Sequence, residues 1–130
     1  LRLLAGAFEG RQGYLSKYLP LDYYDLHVHA KASVVVNTDR ERSVMLFTLL
    51  GDAYIGDELV REKTAVKLAP GDFVKIGGTD KSAQVLFVSS TMLAEPVVWG
   101  GPIVMNTKEE LAKAFDDLRR GVFLQDKISY

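Results

Sequence analysis

The sequence predicts an all-β sandwich or barrel that ends in a single α-helix. Three observations predict this fold: many short segments with strand periodicity, turn residues at close spacing between them, and one helical pattern near the end of the chain. The composition fits a globular domain, since 48% of the 130 residues are hydrophobic and 25% are charged. At this length we expect one domain, residues 1–130, which can bury a sizeable core.

The early strands show the two-residue repeat of a sheet. The segment Asp25–Ala30 alternates between polar and apolar residues, so Asp25, His27 and His29 share one face and the apolar residues share the other. Ser33–Val36 continues as a β-branched run, which is typical of a strand.

The middle of the chain predicts further strands separated by turns. Val44–Leu50 is a nearly continuous apolar run, typical of a buried strand. Pro70–Asp72 predicts a turn, because proline fixes φ and glycine permits the reversed conformation. We interpret Gly77–Gly78 as a hairpin turn. The remaining strand segments are Tyr54–Ile55, Leu59–Val60, Ala65–Leu68, Phe73–Ile76 and Gln84–Val88.

The helix has a strong start signal. Thr107 and Glu110 have the spacing of a capping box, in which the hydroxyl accepts from an early helical N–H and the glutamate reaches back. Gly121 is the expected stop, since glycine enters the left-handed conformation without penalty. The apolar positions that form one stripe are Leu111, Ala114, Phe115 and Leu118.

The same region resembles the closing signature of the pirin family. The residues that carry the resemblance are Glu95–Val98, Gly100–Thr107, Glu109–Leu111 and Phe123. Leu1–Gly6 resembles the strand that opens the C-terminal barrel of pirins. Pirins are bicupins, with two cupin barrels in one chain. The resemblance implies that residues 1–130 are the C-terminal half, a cupin-type jelly-roll barrel (double-stranded β-helix) with one C-terminal helix.

His27 and His29 are the candidate metal ligands, because two imidazoles two residues apart on a strand point the same way. Cupin metal sites resemble this pair but add a preceding glycine, a following glutamate and a third histidine near a proline–glycine turn. Here Leu21 and Ser33–Val34 stand in place of the glycine and the glutamate, and no histidine follows Pro70–Gly71. The chain has only two histidines, so a three-histidine site cannot be assembled from it.

A site of two histidines and one carboxylate stays open. Its nominal carboxylate donors are Glu41, Asp52, Asp57, Glu58 and Asp72. The alternative, which we favour, is that Asp25, His27 and His29 form a solvated or interdomain face. The resemblance implies the same, because the C-terminal barrel of pirins is generally metal-free and an iron-type metal belongs to the N-terminal barrel. We assign no catalytic residue and no cofactor to this chain.

Composition and the apolar end of the chain limit the classes of partner that we expect. With a net charge of −1, the chain has no positive field that would attract nucleic acid. No apolar run is long enough to cross a membrane. The absence of cysteine fits a cytoplasmic location. Trp99, Phe123 and Leu124 are candidate interface residues, and we interpret Trp99 and Met105 as packing residues beside a glycine–proline turn. The expected partners are an N-terminal cupin barrel or another copy of this chain.

Three functions follow from these observations. The first is a non-catalytic, metal-free half of a pirin-like bicupin, which packs against and shapes a metal-bearing barrel. By resemblance, the complete protein would be a quercetin 2,3-dioxygenase-type enzyme or a transcription coregulator. The second is a small-molecule binder or metal-dependent dioxygenase that uses His27 and His29. The third is a self-associating interaction module.

Overall fold

The computed structural model describes residues 1–123, which contain thirteen strands and one helix. The strands of the first 60 residues are β1 (Arg2–Ala5), β2 (Ala7–Phe8), β3 (Arg11–Gln12), β4 (Leu21–Val28), β5 (Ser33–Asn37), β6 (Arg42–Leu50), β7 (Ala53–Ile55) and β8 (Glu58–Val60). The later elements are β9 (Ala65–Lys67), β10 (Phe73–Gly78), β11 (Ala83–Thr91), β12 (Val98–Gly100), β13 (Ile103–Met105) and α1 (Lys108–Arg119). No helix in this part of the chain is long and apolar enough to span a membrane.

The first compact unit, Leu1–Met92, is a double-sheet jelly roll. One sheet has five strands in the order β1-β4-β11-β6-β9, and the other has four in the order β5-β10-β7-β8. All neighbouring strands in both sheets are antiparallel. From β4 to β11 the chain crosses between the two sheets at every connection except the β7–β8 hairpin. The predicted fold class is confirmed.

The interior of this unit is filled with apolar side chains. Alternate residues of the long strands face inward, so β4 contributes Tyr24, Leu26 and Val28. The Tyr24 ring stacks on Phe87 of β11 with ring centroids 5.1 Å apart. The other buried members of the core cluster are Val36, Val44, Leu46, Ala53, Ile55, Val74, Ile76, Ala83 and Val85. Two polar side chains, Thr48 of β6 and Ser89 of β11, are also buried at inward positions.

The second compact unit begins at Leu93 and contains the β12–β13 hairpin and α1. The predicted capping box is present: the N–H of Glu110 donates to Thr107 Oγ1 at 3.1 Å, and the N–H of Thr107 donates to Glu110 Oε2 at 2.9 Å. Gly121 ends the helix at φ +70°, and the next N–H, of Val122, donates back to Asp117. Helix start and stop are both confirmed.

Two local predictions were wrong. Gly77 and Gly78 lie inside β10, and residues 79–82 connect it to β11. Glycine is needed at position 78 because a Cβ there would lie 2.3 Å from the carbonyl oxygen of His29, so its role is close backbone approach. The strand predicted at Asp25 begins at Leu21 and ends at Val28, so His29 lies just outside it.

Candidate functional site

Both histidines lie outside the core of the jelly roll. His27 stands between the inward-facing Leu26 and Val28, so strand alternation directs its side chain to the outer face of the five-stranded sheet. His29 is exposed in the connection that follows β4. The sequence prediction that the histidines share a face apart from the apolar residues therefore holds for His27, which is in the strand.

Asp25 lies on the same outer face as His27, yet it is buried. Gln84, on the neighbouring strand β11, donates from Nε2 to Asp25 Oδ1 at 2.7 Å. His27 Nε2 lies 3.3 Å from the same carboxylate oxygen, and Arg2 Nη1 lies 3.9 Å from Oδ2. Asp25 is therefore not solvated, because side chains from three strands surround its carboxylate, with Gln84 donating a hydrogen bond and Arg2 adding a longer ion pair.

Two of the nominal carboxylate donors are already engaged in ion pairs. Asp72 accepts two hydrogen bonds from Arg40, at 2.9 and 2.8 Å, and this guanidinium holds the pKa of Asp72 below its ordinary value. Asp52 accepts from the backbone N–H of Glu62 and from Arg61, each at 2.9 Å, and these bonds lower the pKa of Asp52. Both carboxylates tie surface loops together.

No group of three or more histidine and acidic side chains within residues 1–123 is placed to hold a metal ion. The structure therefore does not bring His27, His29 and any of the nominal donors together as a ligand set. The residues present do not fit the two-histidine, one-carboxylate centre left open by the sequence. A surface cleft of about 320 Å³ does border both histidines, and Leu50, Ser82 and Gln84 also line it.

The outer face of the five-stranded sheet carries an apolar surface that the sequence analysis did not identify. Met45 and Phe47 of β6 lie directly opposite Val88 and Leu86 of β11. Tyr23 of β4 extends the row on the other side of Val88. Met45 and Val88 are exposed, whereas the other three are half-buried. We call these five residues the outer patch.

Comparison with known proteins decides the family. Residues 23–124 match the family described as the Pirin C-terminal cupin domain. The chain belongs to this family. The resemblance predicted from the closing signature is confirmed, and this Pirin C-terminal cupin domain also has the cupin fold that the resemblance implied.

The relatives of this Pirin C-terminal cupin domain are much longer than the chain. The pirin-like protein of Caulobacter vibrioides is 34% identical over 101 residues, which cover 78% of this chain and 36% of that protein. Human pirin is 39% identical over 80 residues, which cover 57% of this chain and 27% of that protein. The crystal structure of quercetin 2,3-dioxygenase from Acinetobacter baumannii superposes with a TM-score of 0.84 at 25% identity, covering 95% of this chain and 43% of that one. The chain thus spans less than half the length of these three proteins.

The candidate interface residues of this Pirin C-terminal cupin domain have different outcomes. Trp99 is 75% exposed, so any packing role for it would be at a domain or subunit contact, as the interface prediction states. Met105 is half-buried. Phe123 is half-buried at the end of the described residues, and Leu124 lies outside them. The interface role of Trp99, Phe123 and Leu124 stays a prediction.

Sequence reasoning missed the outer patch although its signal was present. The run Val44–Leu50 is apolar at nearly every position, and this pattern is typical of strands that are covered on both faces. Taken alone, the run indicates only that the strand is buried. The structure shows which half of it faces the core and which half remains accessible.

Proposed function

We propose that this domain is the metal-free structural half of a pirin-like bicupin. It would pack through the outer patch against a metal-bearing cupin barrel, and so shape and shield that barrel's active-site cleft. The outer patch is the observation that carries the proposal. Strands β6 and β11 carry apolar side chains on both faces, but the described chain buries fully only those that point into the core.

The filled interior supports the metal-free part of the proposal. Phe87, Leu26, Leu46 and Ile76 are the largest side chains that are fully buried, and they occupy the centre of the jelly roll. A ligand site inside the barrel would require several polar donors at such inward positions, whereas the buried polar side chains that the described strands β6 and β11 direct inward are the single hydroxyls of Thr48 and Ser89. His27 is instead directed outward, His29 is exposed in the connection after β4, and Asp25 is already surrounded by its own partners.

The lengths of the relatives support the bicupin part. The match covers 43% of the Acinetobacter quercetin 2,3-dioxygenase, so more than half of that chain lies outside the match and is long enough to form a second barrel. The dioxygenase activity named for that relative would then belong to the assembled pair of barrels. The cysteine-free sequence supports a cytoplasmic setting for this assembly.

A chimera tests the docking role. This chain would replace the matching segment of the Acinetobacter dioxygenase, and solubility and bound metal per chain would be measured. We expect a soluble chimera that retains its metal. Met45→Asp should destabilise it by about 1–3 kcal/mol, because the new carboxylate would be buried without a partner at the docked face. Leu59→Asp is the matched control, since Leu59 is 45% exposed against 46% for Met45 but lies on the other sheet. Equal effects of the two substitutions would refute the proposed surface.

Metal content of the isolated chain tests the other half of the proposal. The chain would be incubated with ferrous iron, nickel, zinc or manganese, desalted, and subjected to elemental analysis. We expect no stoichiometric metal. One ion per chain that is lost in His27→Ala or His29→Ala would instead establish a metal centre at the surface cleft and favour the small-molecule or dioxygenase alternative.

A further inference from the structure

Strand β5 is an edge strand whose outward backbone groups have no partner within residues 1–123. Among the described strands it pairs with β10 alone, in the register that places Val36 opposite Val74. At one end of this ladder the N–H of Thr38 donates to the carbonyl of Asp72 at 2.8 Å. At the other end the N–H of Gly78 donates to the carbonyl of Ala32 at 2.9 Å. The even-numbered residues of β5 therefore direct their backbone groups toward β10.

The odd-numbered residues of β5 consequently direct their N–H and C=O groups toward the free edge. Hydrogen-bonded and non-hydrogen-bonded pairs alternate along an antiparallel ladder, so Ser33, Val35 and Asn37 are the residues on the open side. The described residues supply no hydrogen bond to these backbone groups. All three residues are exposed, and Val35 is 51% exposed.

This edge lacks the features that normally prevent strand addition. Soluble proteins protect open edges with charged side chains, proline, bulges or a covering element. Ser33–Asn37 contains no charge and no proline, and its pairing with β10 shows no register shift. Its centre, Val34–Val36, is a β-branched run with strong strand propensity.

We propose that two copies of this chain pair through β5, antiparallel across a two-fold axis that passes midway between the Val35 residues of the two copies. In this register Val35 faces Val35 of the second copy, and Ser33 faces Asn37. The two-fold axis generates a second Ser33–Asn37 pair, so the copies form three pairs in total. All three are hydrogen-bonded pairs, because the odd-numbered residues present their backbone groups outward. Each pair exchanges two hydrogen bonds, giving about six between the copies and one continuous sheet of two four-stranded halves.

Charge complementarity favours a second copy as the occupant. The register that centres on Val35 also places Lys31 of one copy at the same end of the ladder as Asp39 of the other. Because the arrangement is two-fold, this opposite-charge pair occurs at both ends. Lys31 lies 3.6 Å from Asp80 of its own chain, but both side chains are largely exposed, so Lys31 is available to a second carboxylate. One oxygen of Asp39 accepts from the backbone N–H of Glu41, which leaves the other free.

Cysteine cross-linking tests the register directly, because the chain has no cysteine of its own. Val35→Cys places two thiols opposite each other on the axis, with Cα atoms about 5.5 Å apart, which is within the range that a disulfide can bridge. Mild oxidation should therefore give a covalent dimer. Leu59→Cys, at a similarly exposed position on the other edge strand β8, is the control. Equal cross-linking of the two variants, or none, would overturn the proposed register.

A second set of variants tests the hydrogen bonds by sedimentation equilibrium over a range of protein concentrations. Val35→Pro removes only an N–H on the free edge and leaves the bonds to β10 intact. Val35→Lys places like charges opposite each other on the axis. Each should raise the dimer dissociation constant about tenfold or more, whereas Val35→Thr keeps the N–H and should retain the dimer. Far-ultraviolet circular dichroism would confirm that each variant folds. If Val35→Pro does not fold, Val35→Lys alone tests the dimer.

Two results would overturn the proposal: a wild-type chain that stays monomeric at every concentration, or a dimer that Val35→Pro and Val35→Lys leave unchanged. The experiment is independent of the proposed bicupin function. Docking through the outer patch uses the five-stranded sheet, whereas self-pairing uses the edge of the four-stranded sheet. Met45→Asp should therefore leave the β5 dimer intact, and Val35→Lys should leave docking in the chimera intact.

Discussion

Replacement of Phe87 by alanine tests whether the interior of the jelly roll is filled. Phe87 is 1% exposed and lies between Tyr24 of β4 and Leu46 of β6 in the sheet register. Truncation of a buried phenylalanine to alanine typically costs about 3–5 kcal/mol, because the transfer free energy is lost and a cavity remains. The stacked contact with Tyr24, at 5.1 Å, adds about 0.5–1.5 kcal/mol that alanine cannot supply. We therefore expect Phe87→Ala to lower the free energy of unfolding by about 4 kcal/mol.

Urea denaturation followed by circular dichroism measures this loss. With a slope of about 2 kcal/mol per molar urea, the midpoint should fall by about 2 M relative to the wild-type chain. Phe73→Ala is the matched control, because the same atoms are removed from a side chain that is 64% exposed, and it should change stability by less than about 0.5 kcal/mol. If Phe87→Ala lowers the free energy of unfolding by less than about 1 kcal/mol, the interior is loosely packed, and the inference of a ligand-free barrel is refuted.

Two further predictions concern a buried phenol and the helix cap. Burial, together with the nearby Asp22 carboxylate, raises the pKa of Tyr24 from 10.0 to about 12. The unfolded chain therefore loses this proton first, and stability should fall by about 1.4 kcal/mol per pH unit between those values. In Tyr24→Phe, the free energy of unfolding should fall less steeply between pH 10 and 12 than in the wild-type chain. An unchanged slope would contradict the assignment of the raised pKa to Tyr24. Thr107→Ala removes the acceptor for the Glu110 N–H and should weaken the first turn of α1 by about 1 kcal/mol. Hydrogen exchange of the amides in this first turn, including that of Glu110, should become about fivefold faster. Thr107→Ser keeps the acceptor and should match the wild-type rate.

Local signals in the sequence predicted the helix and most strands correctly. The capping box at Thr107 and the glycine stop at position 121 act within a few residues, so their geometry follows from sequence spacing. Periodicity likewise located β6, β10 and β11 to within a few residues. It also separated His27 from the apolar face of β4, and this separation is the basis for placing the histidines outside the core.

Features that depend on distant strands were not predictable in this way. Asp25 is buried because Gln84, 59 residues away in sequence, donates to it from the neighbouring strand. The glycine at position 78 is required by the carbonyl of His29, which only the folded chain brings near. The open edge of β5 follows from sheet order, since the same β-branched run would suit a central strand equally well.

The filled interior changes how such a domain can diverge during evolution. A barrel that holds a metal must keep the identity of each ligand, so its inward positions tolerate almost no exchange. Here most inward positions of the core are apolar, with Thr48 and Ser89 as buried polar exceptions, and selection at Leu26, Val36 or Ile76 acts on volume and not on chemical identity. Compensating swaps among leucine, isoleucine and valine can accumulate while the fold persists. We therefore expect drift at the apolar interior positions of this domain to be limited by shape, and the slowest-changing positions to lie on its outer surfaces.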